Sequence, residues 1–166
     1  AVGVLSAVAL CAAALISVTG AEVGPNADAN KALVQAMYDD AINRRDVVEL
    51  GKFLTEDFVS HDPDGQDVGR ETFVWGASLF FVAFPDSHVE VLDLVAEGDR
   101  VAARWLFTGT HTQRLESLPA TGAKVELSGI SIHRIDHRID GGRIAETWEA
   151  SNTLLFLQQL GVIPTE

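Results

Sequence analysis

A few polar side chains stand where proton chemistry is possible. Thr147, Glu149 and Ser151 alternate along a run of β-branched and aromatic residues, Arg143 to Ser151, so they share one strand face while Glu146, Trp148 and Ala150 share the other. If the first face lines a pocket, the Glu149 carboxylate is partly desolvated among apolar groups, which raises its pKa and lets it exchange protons with a carbon acid near neutral pH. The competing reading is a solvent-facing glutamate at a strand end. His61 and Asp62 precede Pro63 at the end of a brief extended segment, where the pair either caps a turn or faces a pocket mouth. His111 ends a strand on which Trp105 and Phe107 have the same parity; it can donate to a ligand carbonyl or bond a neighbouring loop. Other chemistries lack their residues: no Gly-x-Ser-x-Gly, phosphate loop or dinucleotide fingerprint occurs. His133 and His137 belong to a hairpin that a repeat, RIDHRID over 134 to 140, reads as lengthening, and no metal site is expected.

The aromatic residues supply a wall for such a site. Trp75, Phe80, Phe81 and Phe84 fall on one helix, and Trp105 and Phe107 on a strand. Most are core, and the remainder suit a cavity for a flat polycyclic or terpenoid ligand.

Positioning these groups falls to a chain of 166 residues, 47% hydrophobic and 22% charged, which suits one domain. With 24 Asp and Glu against 12 Lys and Arg the net charge is -12, which argues against nucleic acid or an anionic membrane surface as partner. Residues 1 to 21 carry no charge and end in the small residues Val18-Thr19-Gly20-Ala21. They read as a signal peptide or, alternatively, a membrane anchor; the Ala- and Gly-rich composition favours the signal, and with it a secreted or cell-envelope location. Cleavage there removes Cys11, the single cysteine, and with it any thiol nucleophile or Cys-based metal site.

Residues 22 to 28 read as a linker, and 29 to 166 as the folded domain. Apolar spacing predicts helices over about 29 to 44 and 47 to 54, an extended Phe58 to His61, a turn at Asp62-Pro63-Asp64-Gly65, and a helix from Gly69 to Phe84 stopped by Pro85. Alternation then predicts four strands, 88 to 96, 100 to 111, 125 to 133 and 143 to 151, with turns at Glu97-Gly98-Asp99 and Asp140-Gly141-Gly142. A closing helix, 154 to 160, follows the capping residue Asn152. Helices followed by a run of antiparallel strands give an α+β fold.

In that order, SHDP at 60 to 63, AFPD at 83 to 86, EGDRVAARW at 97 to 105, GTHT at 109 to 112, PATG at 119 to 122, GGRIAETWE and LLFLQQLG resemble the SnoaL-like polyketide cyclase (ester cyclase) family of the nuclear transport factor 2-like superfamily. The resemblance implies a cone-shaped barrel, N-terminal helices on a curved antiparallel sheet, with a deep apolar pocket, usually dimeric and without metal or organic cofactor. It puts Glu149 where the cyclases carry an acid/base aspartate, and makes the His61-Asp62-Pro63 string typical, with His61 bonding a substrate oxygen. The related ketosteroid isomerases add a base before proline, matched by Asp62, and a tyrosine oxyanion donor, matched by Tyr38. The cyclases' third-strand histidine, and the isomerases' third-strand acid, fall at or near Ser131, and the asparagine beside His-Asp-Pro falls at or near Ser60. The implied activity is a cofactor-independent cyclase or isomerase acting on a small hydrophobic carbonyl compound, with Glu149 as acid/base, His61, His111 or Tyr38 as oxyanion donors, and Trp148 with the aromatic wall holding the ring. A binding protein for a lipid or terpenoid, without catalysis, is the alternative.

Overall fold

The computed structural model describes residues 27 to 61 and 65 to 164. The segment 1 to 21, and Asp62 with its turn, lie outside the described residues. Helix α1, Ala27–Ala36, begins two residues inside the expected linker, and an exposed Asp28–Lys31 ion pair of 2.7 Å staples its first turn. The helix expected through residue 44 changes hand-hold at Met37–Ile42, where the chain widens into a π-helical turn. There the Asn43 and Asp46 N–H groups bond the carbonyls of Tyr38 and Ala41, five residues back, at 2.8 and 2.9 Å. Asn43 then grips the main chain of Val89 in both directions, donating at 2.9 Å and accepting at 2.7 Å. That clamp fixes where the π turn, and Tyr38 with it, sits against the sheet.

Helix α2, Val47–Phe53, is capped by Asp46, whose carboxylate accepts the N–H groups of Val48 and Glu49. Strand β1, Leu54–His61, starts earlier than the extended segment expected. A two-residue β2, Val68–Gly69, leads into α3, Arg70–Ala83. Strands β3, His88–Glu97, β4, Arg100–Thr110, β5, Lys124–Asp136, and β6, Arg143–Ser151, match the alternating runs, and α4, Thr153–Gln159, is capped by Asn152. The RIDHRID repeat does lengthen the β5–β6 hairpin: β5 runs on to Asp136, and Arg138 folds back onto its carboxylate.

The strands form one sheet in the order β2-β1-β6-β5-β4-β3, antiparallel except for β1 beside β6. The sheet is curved but not closed, so the expected barrel is an open α+β wrap whose inner face is covered by helices. Alternation selects the core: Val101, Ala103, Trp105 and Phe107 of β4 are buried, as are Val125, Leu127, Ser131, His133 and Ile135 of β5. Gly129 of β5, paired with Trp105, has a specific reason to be glycine: a Cβ there would lie 2.3 Å from the indole. The bare backbone lets the ring lie flat across β5 and reach Ser131. No helix among the described residues is long and apolar enough to cross a membrane.

Candidate active site

Inside the wrap is a cavity of about 320 Å³ between the π turn, the sheet, α3 and α4, lined among others by Tyr38, Phe80, Trp105, Phe107, Glu149 and Phe156. It adjoins a chamber of about 580 Å³ that shares Phe80, Phe107 and Glu149 with it and extends to Ser60, Trp75 and Glu116. Strand parity holds here: Thr147, Glu149 and Ser151 face inward, and the Glu149 carboxylate meets the junction of the two chambers, where it is reached by water.

The polar groups around it form a connected set. The Trp105 indole N–H donates to Ser131 Oγ at 2.9 Å, and Ser131 donates to Glu149 Oε2 at 3.3 Å. Ser131 and Glu149 are register partners on β5 and β6. The Tyr38 hydroxyl lies 3.4 Å from His133 Nε2. Burial, and then the Glu149 charge, push the Tyr38 phenol above the usual tyrosine range, while Ser131 pulls the other way, so it is a neutral donor at any working pH. His133 is buried, its Nδ1 is 2.9 Å from Thr147 Oγ1, and desolvation lowers its pKa to about 4. Sequence reasoning missed His133 because it was grouped with His137 in the repeat. Counting two residues on from Ser131 along one strand would have put it on the same inner face.

Other expected site residues are placed elsewhere. His61 pairs in register with Trp148 across the parallel β1–β6 ladder, so both lie on the sheet face opposite Glu149. The His61 ring stacks on Trp148 at 4.7 Å, and its two nitrogens meet Asp67 and Glu146, each at 3.0 Å. Glu146 also pairs with Arg134, and Arg100 lies over the Trp148 ring at 5.5 Å. The hydrogen bond to Glu146, helped by Asp67, raises the His61 pKa, which favours its charged form between the two carboxylates. Those contacts bind strand to strand and leave neither His61 nor Trp148 at the cavity.

His111 has the inward parity expected, yet its ring is buried under Phe84, stacked at 5.2 Å, and Phe84 packs on Phe80 and Phe107 of the cavity wall. His111 Nδ1 accepts the Thr121 backbone N–H at 3.3 Å, and burial lowers its pKa, so the proton sits on Nε2, which has no partner among the described residues. It anchors the β4–β5 connection rather than the cavity. Of the two chambers, Trp75, 58% exposed on α3, borders the outer one and not the inner. Among the described residues no three His, Cys, Asp or Glu side chains are grouped to hold a metal ion.

The model of the SnoaL-like polyketide cyclase family matches residues 32–160 of this chain. The chain belongs to that family. Among solved structures, this SnoaL-like chain is 31% identical to AclR of Streptomyces galilaeus, a candidate hydroxylase, with a TM-score of 0.73 over 82% of this chain and 83% of that one. It is 29% identical to IdmH of Streptomyces antibioticus, a candidate polyketide cyclase, with a TM-score of 0.68 over 80% and 98% of the two chains. A candidate SnoaL-like polyketide cyclase of Jannaschia sp. CCS1 superposes with a TM-score of 0.75 over 87% and 100%, and at 20% identity it is a likeness of fold. No curated protein matches the chain. Family model and fold together place the chain among the SnoaL-like proteins of the nuclear transport factor 2-like superfamily.

Proposed function

We propose that the Glu149 cavity is the active site of a cofactor-independent cyclase or isomerase acting on a small apolar carbonyl compound. The observation that carries this reading is a carboxylate set into an aromatic cavity, with the Tyr38 hydroxyl and Ser131 beside it. Glu149 takes a proton from a carbon next to the substrate carbonyl. The C–H electron pair moves into an enolate, and the Tyr38 O–H supports the new oxyanion. The enolate carbon then attacks a second carbonyl carbon of the same molecule and closes a ring, or it is reprotonated at another carbon. Glu149 returns the proton in either case, to the new alkoxide or to carbon.

Charge narrows the substrate. Among the described residues lining the two chambers, Glu149 and Glu116 are the charged ones and no Lys, Arg or His joins them. An uncharged ligand fits such a lining, and a carboxylate does not. Trp105, Phe107 and Phe80 supply faces for a ring system.

The second reading, a carrier for a lipid or terpenoid, is favoured by His61 and His111 lying away from the cavity, which leaves it few polar groups. Deuterium exchange into ring ketones and 1,3-dicarbonyl compounds, followed by NMR with wild type and Glu149→Gln, separates the two. Exchange dependent on Glu149 supports the enzyme; binding with no exchange in either protein supports the carrier.

For assembly, the outer sheet face supports a homodimer: Ile130 and Ile132 stand 49% and 38% exposed in the middle of the sheet. Sedimentation of Ile130→Glu beside wild type tests it, and the variant is expected to run as a monomer. Secretion or envelope attachment rests on residues 1 to 21 alone.

A further inference from the structure

The two chambers meet at the residues that line both: Ile42, Phe80, Val89, Phe107 and Glu149. Each comes from a different element, the π turn, α3, β3, β4 and β6, so the boundary is a collar of apolar side chains with one carboxylate in it. Its members are held in place. Asn43, next to Ile42, bonds the main chain of Val89 in both directions. The Phe80 and Phe107 rings are 5.1 Å apart, and Phe84 packs against both, at 4.7 and 5.5 Å. Gly109 leaves that cluster its space, since a Cβ there would lie 3.1 Å from Phe107 and 3.3 Å from Phe84.

The chambers on either side of the collar differ. The inner one offers the aromatic faces of Trp105, Phe107 and Phe156, and α4 is pinned across it. Phe156 lies 6.1 Å from Phe80, and the Gln159 amide accepts the Glu126 N–H at 2.7 Å and donates to the Glu126 carbonyl at 2.9 Å. The β5–β6 ladder begins only at Gly129, paired with Ser151, so Gln159 takes the place that a longer β6 would fill beside Glu126. The outer chamber is larger, adds Ser60, Thr72, Ser87 and Glu116 to its lining, and includes the exposed Trp75. At about 320 Å³ the inner chamber is at the low end of the roughly 300–1,000 Å³ of ligand sites. A molecule larger than a small ring system therefore continues through the collar, with its most apolar part inside.

We propose that the site takes an elongated ketone threaded through this collar: an aromatic ring system in the inner chamber, the carbonyl at the collar beside Glu149, and a chain running out through the outer chamber. The carbon that loses its proton is then in the middle of the ligand, with the ring on one side and the chain on the other. Glu149 takes the proton from the methylene next to the carbonyl, the C–H electron pair passes to the carbonyl oxygen, and in heavy water a solvent deuteron returns to carbon. Which carbon reacts rests on the reading of Glu149 as the base, whereas the threading is judged by affinity alone.

The test is a ladder of 2-naphthyl methyl, propyl and pentyl ketones, titrated by calorimetry into the full chain. Affinity is expected to rise about tenfold for each two methylenes added, the scale of burying them. Gly76 and Ala77 of α3 line the outer chamber and not the inner, and a Cβ at Gly76 has open space. Gly76→Leu or Ala77→Leu is expected to remove most of that rise and leave the methyl ketone unaffected. Thr153→Phe, at the inner chamber, is expected to weaken all three ketones alike. A rise that survives both α3 variants, or one lost in Thr153→Phe, sends the chain out past α4 and overturns the proposal. Weakening of the methyl ketone by the α3 variants puts the ring in the outer chamber and overturns it too. In 1-(2-naphthyl)heptane-1,6-dione, deuterium is expected to enter beside the aryl ketone, and faster entry beside the far ketone overturns the placement of the reacting carbon. A ladder that behaves as expected without any exchange sinks the proton-transfer reading and leaves the threading standing.

Discussion

The two faces of β6 carry opposite kinds of polar chemistry one residue apart. On the inner face Glu149 accepts from Ser131 and borders an aromatic cavity beside Tyr38. On the outer face Glu146 meets the His61 imidazole and the Arg134 guanidinium, with Trp148 stacked on His61. A carboxylate held by cations is fixed in its ionised form, and Glu146 is accordingly pulled below the usual glutamate range, by His61 first and Arg134 next. Such a group joins strands well and moves protons poorly.

The sharpest way to break this contrast is to neutralise each carboxylate in turn. Glu149→Gln is expected to reduce carbon-acid exchange by about 10²-fold or more, the usual scale for a general base, with little change in stability. Glu146→Gln is expected to leave exchange near wild type while lowering the melting temperature slightly. Exchange rates by NMR and thermal denaturation on the same samples check both. Loss of exchange in Glu146→Gln, with Glu149→Gln active, would reverse the assignment of the two faces.

The next largest effect concerns how the inner face is built. Trp105 reaches Ser131 only because Gly129 leaves room beneath its ring. Gly129→Ala forces the indole or β5 to shift, at a cost of about 1–3 kcal/mol for overpacking. Displacement of the indole removes its donor from Ser131, so exchange is expected to fall together with stability in chemical denaturation. An equivalent small-to-large change at Gly76, where a Cβ has open space, is expected to leave exchange unaffected.

Much of the contrast was legible in the sequence, because strand parity is local. The alternation of Thr147, Glu149 and Ser151 with Glu146, Trp148 and Ala150 needed only the strand's existence. The place of His61 was not legible, since its face depends on which strand β1 joins, and its parallel partner β6 lies 85 residues away along the chain. His111 had the right parity, but the strand ends there and the ring turns under Phe84, a contact made by α3's last turn and not by β4. The π turn that presents Tyr38 was hidden too, because Ala36, Met37 and Ala41 fit ordinary helical spacing, while the five-residue bonds are set by the Asn43 clamp on β3. His133 was in plain view and was passed over for its neighbour His137.

A smaller effect sharpens the charge of the inner face. Methyl 2-naphthoate is expected to bind more tightly than 2-naphthoate, by about tenfold, since the acid brings a second negative charge beside Glu149. In Glu149→Gln the gap is expected to narrow, mainly through better binding of the acid. Titration calorimetry of both ligands on both proteins measures it. Equal affinities in wild type would mean that the carboxylate does not face the bound ring.

The smallest effect belongs to the outer face and appears in the pH dependence of stability. His61 has its pKa raised in the folded protein, so its contribution is fully present below its ordinary value of 6.5 and is lost as pH rises through the folded value. Glu146 has its pKa lowered, so its contribution is present above its ordinary value of 4.5 and is lost as pH falls through the folded value. The pair is therefore strongest between these limits. Its side chains are 25% and 28% exposed, which keeps the interaction to under about 1 kcal/mol. Thermal denaturation of wild type and His61→Gln is expected to show its largest gap just below the ordinary imidazole value of 6.5, and the gap is expected to shrink as pH rises through the folded value. Carbon-acid exchange in the same variant is expected to stay near the wild-type rate across that range, because the charge that titrates lies on the far side of the sheet from Glu149. A His61→Gln protein that is as stable as wild type but no longer exchanges protons would return His61 to the active site and undo the division of labour between the two faces.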